Sequence, residues 1–169
     1  GENGYAKAYF ELGNFYCNGN YLPKDLEKAA EFTELAAEQG HIKAQSNLGA
    51  FYAQGLGIEK DFDKAMYWSK LAAEQGNSEA QNNLGGFYAQ GIGVEKNITK
   101  AIYWLELAAN QGNESSQNTL GQLYADGEEI EKDYPERSQQ LKDLNEVCGD
   151  LFNFFKPKEG LKIEAVIED

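Results

Sequence analysis

Residues 44–76, AQSNLGAFYAQGLGIEKDFDKAMYWSKLAAEQG, and residues 80–112, AQNNLGGFYAQGIGVEKNITKAIYWLELAANQG, are two copies of one pattern. The offset is 36 residues, and residues 40–75 match residues 76–111 at 22 of 36 positions. Self-similarity at a fixed period of this length is the signature of a repeat protein. The same columns continue on both sides and cover residues 4–147 of the 169. The sequence therefore predicts four copies of one supersecondary unit.

Each unit is predicted to contain two helices joined by a glycine-containing loop. In the second unit, Ala44, Leu48 and Phe51 follow helical spacing, and Gly55 then breaks the pattern. Asp61 stands where the N-cap of the next helix is expected, and apolar residues again recur at helical spacing after it. The predicted fold is therefore all-α, a solenoid of helix pairs in repeats of about 4–39, 40–75, 76–111 and 112–147.

The ends of the predicted helices carry the same signals in every unit. A glycine inside the first helix, Gly49 or Gly85, costs about 1 kcal/mol relative to alanine. Its repetition predicts that two helix backbones approach closely there, with Ala65 and Ala101 as the facing surface. The predicted N-caps are Asp25, Asp61, Asn97 and Asp133, the helix stops are Gly40, Gly76 and Gly112, and Asn77 and Asn113 are plausible caps for the helices that follow.

The C-terminal part of the chain leaves the repeat pattern. Residues 134–155 predict one long helix that caps the last repeat, so that the solenoid domain extends over residues 1–156. Residues 157–169 form a separate tail, in which apolar and polar side chains alternate as they do in strands. Two interpretations of this tail stay open: a flexible chain end, and an extended segment that docks against a helix surface or another chain.

Composition excludes several classes of function. The formal net charge is −13, which opposes binding to a phosphate backbone, so no nucleic-acid partner is expected. No apolar run is long enough to span a membrane. Two cysteines and one histidine cannot build a disulfide framework or a histidine-based metal site, and no cofactor is predicted. The acidity favours association with a basic partner.

Few side chains suggest chemistry. Trp68 and Trp104 occupy one helical column and are interpreted as core residues, and His41, at a junction between units, as a surface or cap residue. No serine is followed by lysine three residues later, so the S-x-x-K motif of penicillin-binding proteins and β-lactamases is missing. The sequence therefore predicts a protein without enzymatic activity.

The repeat columns resemble the Sel-1-like repeat family, with Ala, Leu-Gly, Tyr, Gly-x-Gly, a polar cap, Lys-Ala, Trp and Ala-Ala-x-x-Gly in order. The first repeat departs from this pattern at Tyr21, which replaces the second loop glycine, and the fourth repeat departs after Gly127. The resemblance implies a right-handed superhelix of helix pairs related to the tetratricopeptide fold. It also implies adaptor or scaffold work.

In repeats of the tetratricopeptide type the first helix of each pair lines the concave face, so the resemblance implies a candidate binding groove. Its members are mostly side-chain amides, which offer both donors and acceptors to a peptide backbone. Ala50 and Gly86 leave room for a partner chain. The expected groove residues are Phe10 as an apolar anchor, together with Asn14, Asn18, Lys43, Ser46, Asn47, Gln54, Glu79, Asn82, Asn83, Gln90, Asn118, Gln122 and Asp126.

Three functions stay open from the sequence. The first is a scaffold that binds a protein or peptide in the groove, and the expected state of the scaffold itself is a monomer. The second is an acidic immunity or inhibitor protein that neutralises a basic toxin or enzyme. The third, which the sequence favours least, is a β-lactamase-like enzyme. The compartment is open as well: cytoplasmic, or periplasmic or secreted if a signal peptide was removed.

Overall fold

A computed structural model of the chain describes residues 4–125, and all regular secondary structure in this range is α-helical. The chain divides into two compact units, Gly1–Asn113 and Glu114–Asp169. Six helices belong to the first unit and α7 to the second. The helices are α1 (Gly4–Asn18), α2 (Leu26–Glu38), α3 (Ile42–Gln54), α4 (Phe62–Glu74), α5 (Ser78–Gln90), α6 (Ile98–Asn110) and α7 (Glu114–Ala125).

The predicted all-α solenoid of helix pairs is confirmed. In the first unit α1 packs on α2, α3 on α4 and α5 on α6, while α2 contacts α3 and α4 contacts α5 between successive pairs. We call α1, α3, α5 and α7 the first helices of their repeats, and α2, α4 and α6 the second helices. The predicted Asp133 cap, the helix over 134–155 and the tail over 157–169 lie outside the described residues.

The helix ends follow the predicted capping signals. The Oδ1 atoms of Asp25, Asp61 and Asn97 each accept a hydrogen bond, at 3.0 Å, from the backbone N–H three residues later. These bonds satisfy donors that the first turn of a helix leaves open. After the second helices, Gly40 and Gly76 have φ of 85° and 87°, a left-handed conformation that glycine adopts without strain.

The predicted close approach of helix backbones is confirmed at the glycines inside the first helices. A Cβ atom on Gly85 would lie 3.1 Å from Ala101 O and 2.6 Å from Leu105 Cγ, so only glycine fits without a shift. On Gly49 it would lie 3.2 Å from Ala65 O. The absence of a Cβ atom at these two glycines therefore sets the distance between the two helices of a pair.

The core consists mainly of alanine and leucine. Leu48, Leu84 and Leu105 are fully enclosed, with 0% exposure. The two tryptophans, expected as core residues, are instead half-buried at its edge. Trp68 packs against the cluster that contains Leu48, and Trp104 packs against the cluster that contains Leu84.

Candidate protein-interaction surface

One exposed part of the candidate groove is a column of amides at the ends of the first helices. Asn18, Gln54 and Gln90 are exposed and are the last helical residues of α1, α3 and α5. Each is followed by a glycine with φ near 73°, which ends the helix at the same place in each repeat. Because the helix ends in the same way each time, the three amides occupy equivalent positions in successive repeats.

Nearer the start of the first helices, most of the candidate groove residues are less accessible than the amide column. Ser46 is only 2% exposed, so the expectation that it forms part of the accessible groove is wrong. Ser46 therefore occupies a buried position of α3, although the resemblance to tetratricopeptide-type repeats placed it on the concave face. Half-buried members are Phe10, Asn14, Asn47, Asn82 and Asn83, and exposed members are Lys43 and Glu79.

Phe10, expected as an apolar anchor, already has a partner within the fold. Its ring stacks on that of His41, with centroids 4.4 Å apart and an interplanar angle of 23°. His41 is 9% exposed, and its Nδ1 accepts a hydrogen bond from Ala44 N at 3.2 Å. His41 is therefore the N-cap of α3, as one of its two interpretations predicted, and Phe10 helps to fix the junction between the first two repeats.

The fourth repeat contributes to the candidate set through α7, which belongs to the second unit of the chain. Asn118 and Gln122 are exposed on this helix. Asp126 lies outside the described residues. The second unit thus also has exposed amides on its first helix.

A network of glutamines, in which Gln45 and Gln81 are buried, supports the first helices, and sequence reasoning missed it. Gln45 Nε2 donates to Ala37 O at 3.2 Å, and Gln45 Oε1 accepts from Gln75 Nε2 at 2.7 Å. Gln45 therefore ties α3 both to α2, in the preceding repeat, and to the end of α4, in its own repeat. The signal was present, because glutamine recurs at both positions after 36 residues. The same two bonds recur one repeat later, where Gln81 Nε2 donates to Ala73 O at 3.1 Å and Gln111 Nε2 donates to Gln81 Oε1 at 2.7 Å.

A second inter-repeat contact involves an ionisable pair. The hydroxyl of Tyr52 in α3 donates to Glu34 Oε1 in α2 at 3.0 Å. Burial, and then the bond to Glu34, raise the pKa of Tyr52 to about 12. Lys64 Nζ lies 5.1 Å from the centroid of the Tyr52 ring, and Lys100 lies 5.9 Å from that of Tyr88. These contacts hold the second helices against the first by ring and charge interactions rather than by aliphatic packing alone.

Among residues 4–125 no group of histidine, cysteine, aspartate and glutamate is arranged to hold a metal ion. No helix in the same range is long and apolar enough to cross a membrane. What the surface does offer is a regular series of amides on a rigid series of helices.

The family model of the Sel1 repeat matches residues 6–41, 42–77, 78–113 and 115–140. The chain belongs to the Sel1 repeat family. Sel1 repeat proteins generally mediate protein–protein interaction. The first three matched repeats begin two residues later than the repeats predicted from the sequence, and the fourth begins three residues later.

Solved structures of Sel1-type proteins share the fold. A protective antigen present in uropathogenic Escherichia coli strains, which displays an SLR fold, is 40% identical over 73% of this chain, with a TM-score of 0.70. The chain spans only 27% of that antigen. A Sel1 repeat protein from Oxalobacter formigenes is 40% identical over 69% of the chain and 88% of its own length, with a TM-score of 0.62.

A more distant similarity connects the chain to Helicobacter pylori cysteine rich protein B. The identity is 26% over 68% of this chain and 88% of that protein, with a TM-score of 0.55. No curated protein sequence matches the chain. The similarities therefore define the fold and the repeat type.

Proposed function

We propose that this Sel1 repeat chain is a non-catalytic scaffold that binds a partner protein through the exposed amides of its first helices. The column of Asn18, Gln54 and Gln90 supports this proposal most directly, because one amide recurs at the same helical position in three successive repeats. Amide groups donate and accept hydrogen bonds at once, so a series of them suits the alternating N–H and C=O groups of an extended chain.

Space above the helices supports the same proposal. Gly86 is half-buried, and a Cβ atom placed on it would meet no heavy atom within 4 Å. Ala50, in the same column of the preceding repeat, also has a minimal side chain and is half-buried. A partner backbone approaches closest where side chains are shortest, so this column gives an extended segment room beside the amide column.

The charge of the scaffold favours a basic partner. Residues 4–125 contain 14 acidic side chains against 9 lysines, a net charge of −5. Opposite charge accelerates association and makes it sensitive to salt, since added ions screen exposed charges within about 10 Å at 0.1 M. We expect binding of the partner to weaken as the salt concentration rises.

The test compares two doubly substituted chains of equal charge. Gln54→Arg with Gln90→Arg places bulky side chains in the amide column. The control, Thr99→Arg with Asn110→Arg, places two arginines at exposed positions of the second helix α6. Each immobilised chain is incubated with lysate, and retained proteins are identified by mass spectrometry, after circular dichroism has shown equal helicity.

Proteins that are retained by the wild type and by the control, but lost with the Gln54 and Gln90 variant, support the proposal. Retention of the same proteins by the amide-column variant, with loss in the α6 control, would assign binding to the second helices instead. That result would contradict the proposed surface.

A further inference from the structure

In the second and third repeats, which we call the inner repeats, the loop between the two helices packs against the preceding repeat. Gly57 and Gly93 both have φ of +67°. A Cβ atom on Gly57 would collide with the backbone of Leu26, the first residue of α2, and one on Gly93 would lie 2.9 Å from Phe62 Cβ in α4. Glycine is required here because the loop presses on the first turn of the preceding second helix.

A phenylalanine in α3 and another in α5 pack at the same contact between neighbouring repeats. Phe51 and Phe87 are 8% and 9% exposed. Phe51 belongs to a core cluster with Ala29 and Ala30, which lie in the second helix of the preceding repeat. The preceding helix pair therefore supplies the cover for this aromatic ring.

The first repeat has a different arrangement in the same two columns. Its phenylalanine is Phe15, and the loop glycine is replaced by Tyr21. The Tyr21 ring packs edge-on against Phe15, with centroids 5.0 Å apart and an interplanar angle of 69°. Within residues 4–125 every positive φ belongs to a glycine, so the backbone at Tyr21 does not adopt the conformation of Gly57.

We propose that Tyr21 is an end cap that covers Phe15 in place of a preceding helix pair. Because even a Cβ atom at the equivalent Gly57 would collide with the preceding second helix, the Tyr21 side chain would occupy volume that another helix pair needs in order to stack in the register of the second and third repeats. Without Tyr21, the surface around Phe15 would best fit a helix pair of the same repeat type from another molecule. Such a contact is heterologous and would extend into open chains of molecules, which end repeats of solenoids prevent.

The first experiment adds a repeat to the end that Tyr21 closes. A copy of residues 40–75 is placed directly before Gly4, once ahead of the natural loop and once ahead of a chain whose residues 19–25 are replaced by residues 55–61. The replacement restores glycine at position 21. We expect the added repeat to raise the melting temperature only in the chain with the replaced loop. An equal rise with both loops would overturn the proposal.

The second experiment needs no added repeat. Tyr21→Gly uncovers Phe15, whereas Tyr21→Phe keeps a ring of the same shape and serves as the matched control. We expect binding of the apolar dye bis-ANS to increase severalfold for the glycine variant and to stay at the wild-type level for the phenylalanine variant. Equal dye binding by all three chains would show that Tyr21 does not cover the end, even if the repeat fusions failed to fold.

Discussion

At the scale of single residues, the three repeats of the first unit solve one packing problem in three ways. The position opposite the first-helix glycine is Thr33, Ser69 or Leu105. Thr33 satisfies its hydroxyl by donating to Ala29 O at 2.6 Å. Ser69 is fully buried, and its Oγ is the one buried side-chain polar atom among the described residues without a hydrogen-bond partner.

Ser69→Ala should therefore stabilise the chain. A buried, unsatisfied polar group costs about 1–3 kcal/mol, and alanine removes it. We expect an increase of about 1 kcal/mol in the free energy of unfolding, measured by urea denaturation. Thr33→Val is the matched control, because it removes a hydroxyl that is hydrogen-bonded and should give no comparable gain. A Ser69→Ala variant less stable than the wild type would contradict the assignment.

Burial of Tyr52, together with its hydrogen bond to Glu34, makes stability depend on alkaline pH. The folded chain raises the pKa of Tyr52 from 10.0 to about 12, so it favours the neutral phenol. The stabilisation is complete below pH 10 and disappears as the pH rises through 12. We expect the melting temperature of the wild type to fall more steeply between pH 10 and 12 than that of Tyr52→Phe.

Tyr88→Phe provides the comparison for this titration. The pKa of Tyr88 is raised by burial alone, and the residue at the Glu34 position of its preceding repeat is Lys70. We therefore expect a larger departure from the wild-type profile for Tyr52→Phe than for Tyr88→Phe, because Tyr52 also bonds to Glu34. Identical slopes for the wild type and Tyr52→Phe would mean that folding does not raise the pKa of Tyr52.

At the scale of elements, two adjacent glycines in α5 separate helix propensity from packing. Gly85 lies against α6, where an added Cβ would be 2.6 Å from Leu105 Cγ, while Gly86 has open space around it. Alanine in a helix interior is favoured over glycine by about 1 kcal/mol. Gly86→Ala should gain nearly this amount, while Gly85→Ala should lose stability because α5 and α6 must move apart. Thermal unfolding of both variants checks the contrast, and a gain for Gly85→Ala would contradict the close approach.

The elements were predictable because their signals are local and recur. N-cap residues such as Asp61, stop glycines such as Gly76 and the glycine at the helix contact each act within one turn or one helix pair. The burial of Ser46 and the hydrogen bonds of Gln45 were not predictable in the same way. Both depend on which side of a first helix the neighbouring repeat covers, and helical spacing gives the angle between side chains but not the position of that neighbour.

The same limit applies to the candidate surface. The column Asn18, Gln54 and Gln90 was expected to be exposed and is exposed. Phe10 was expected to be available to a partner, but it contacts His41 across a junction between repeats. A residue that departs from its column, as Phe10 and Tyr21 do, packs against a feature particular to that repeat, and one repeat pattern cannot specify it.

At the scale of the whole molecule, a solenoid is held together by contacts between neighbouring repeats, so damage at one junction should stay local. Gln45 provides a test, since it bonds to Ala37 in the preceding repeat and to Gln75 in its own. Gln45→Ala removes one buried and one partly buried hydrogen bond, each with a net value of about 0.5–1.5 kcal/mol. The junction between the first and second repeats should weaken, while the junction tied by Gln81 keeps its bonds.

Hydrogen exchange read out by mass spectrometry resolves where this weakening occurs. In Gln45→Ala, we expect faster exchange in α1 and α2, because this end pair separates from the remaining repeats more easily, and little change in α5 and α6. Gln81→Ala is the matched variant one repeat later and should shift the faster exchange to include α3 and α4. Acceleration spread evenly over all six helices of the first unit would mean that the repeats open as one cooperative body, and the nearest-neighbour description would then fail for this chain.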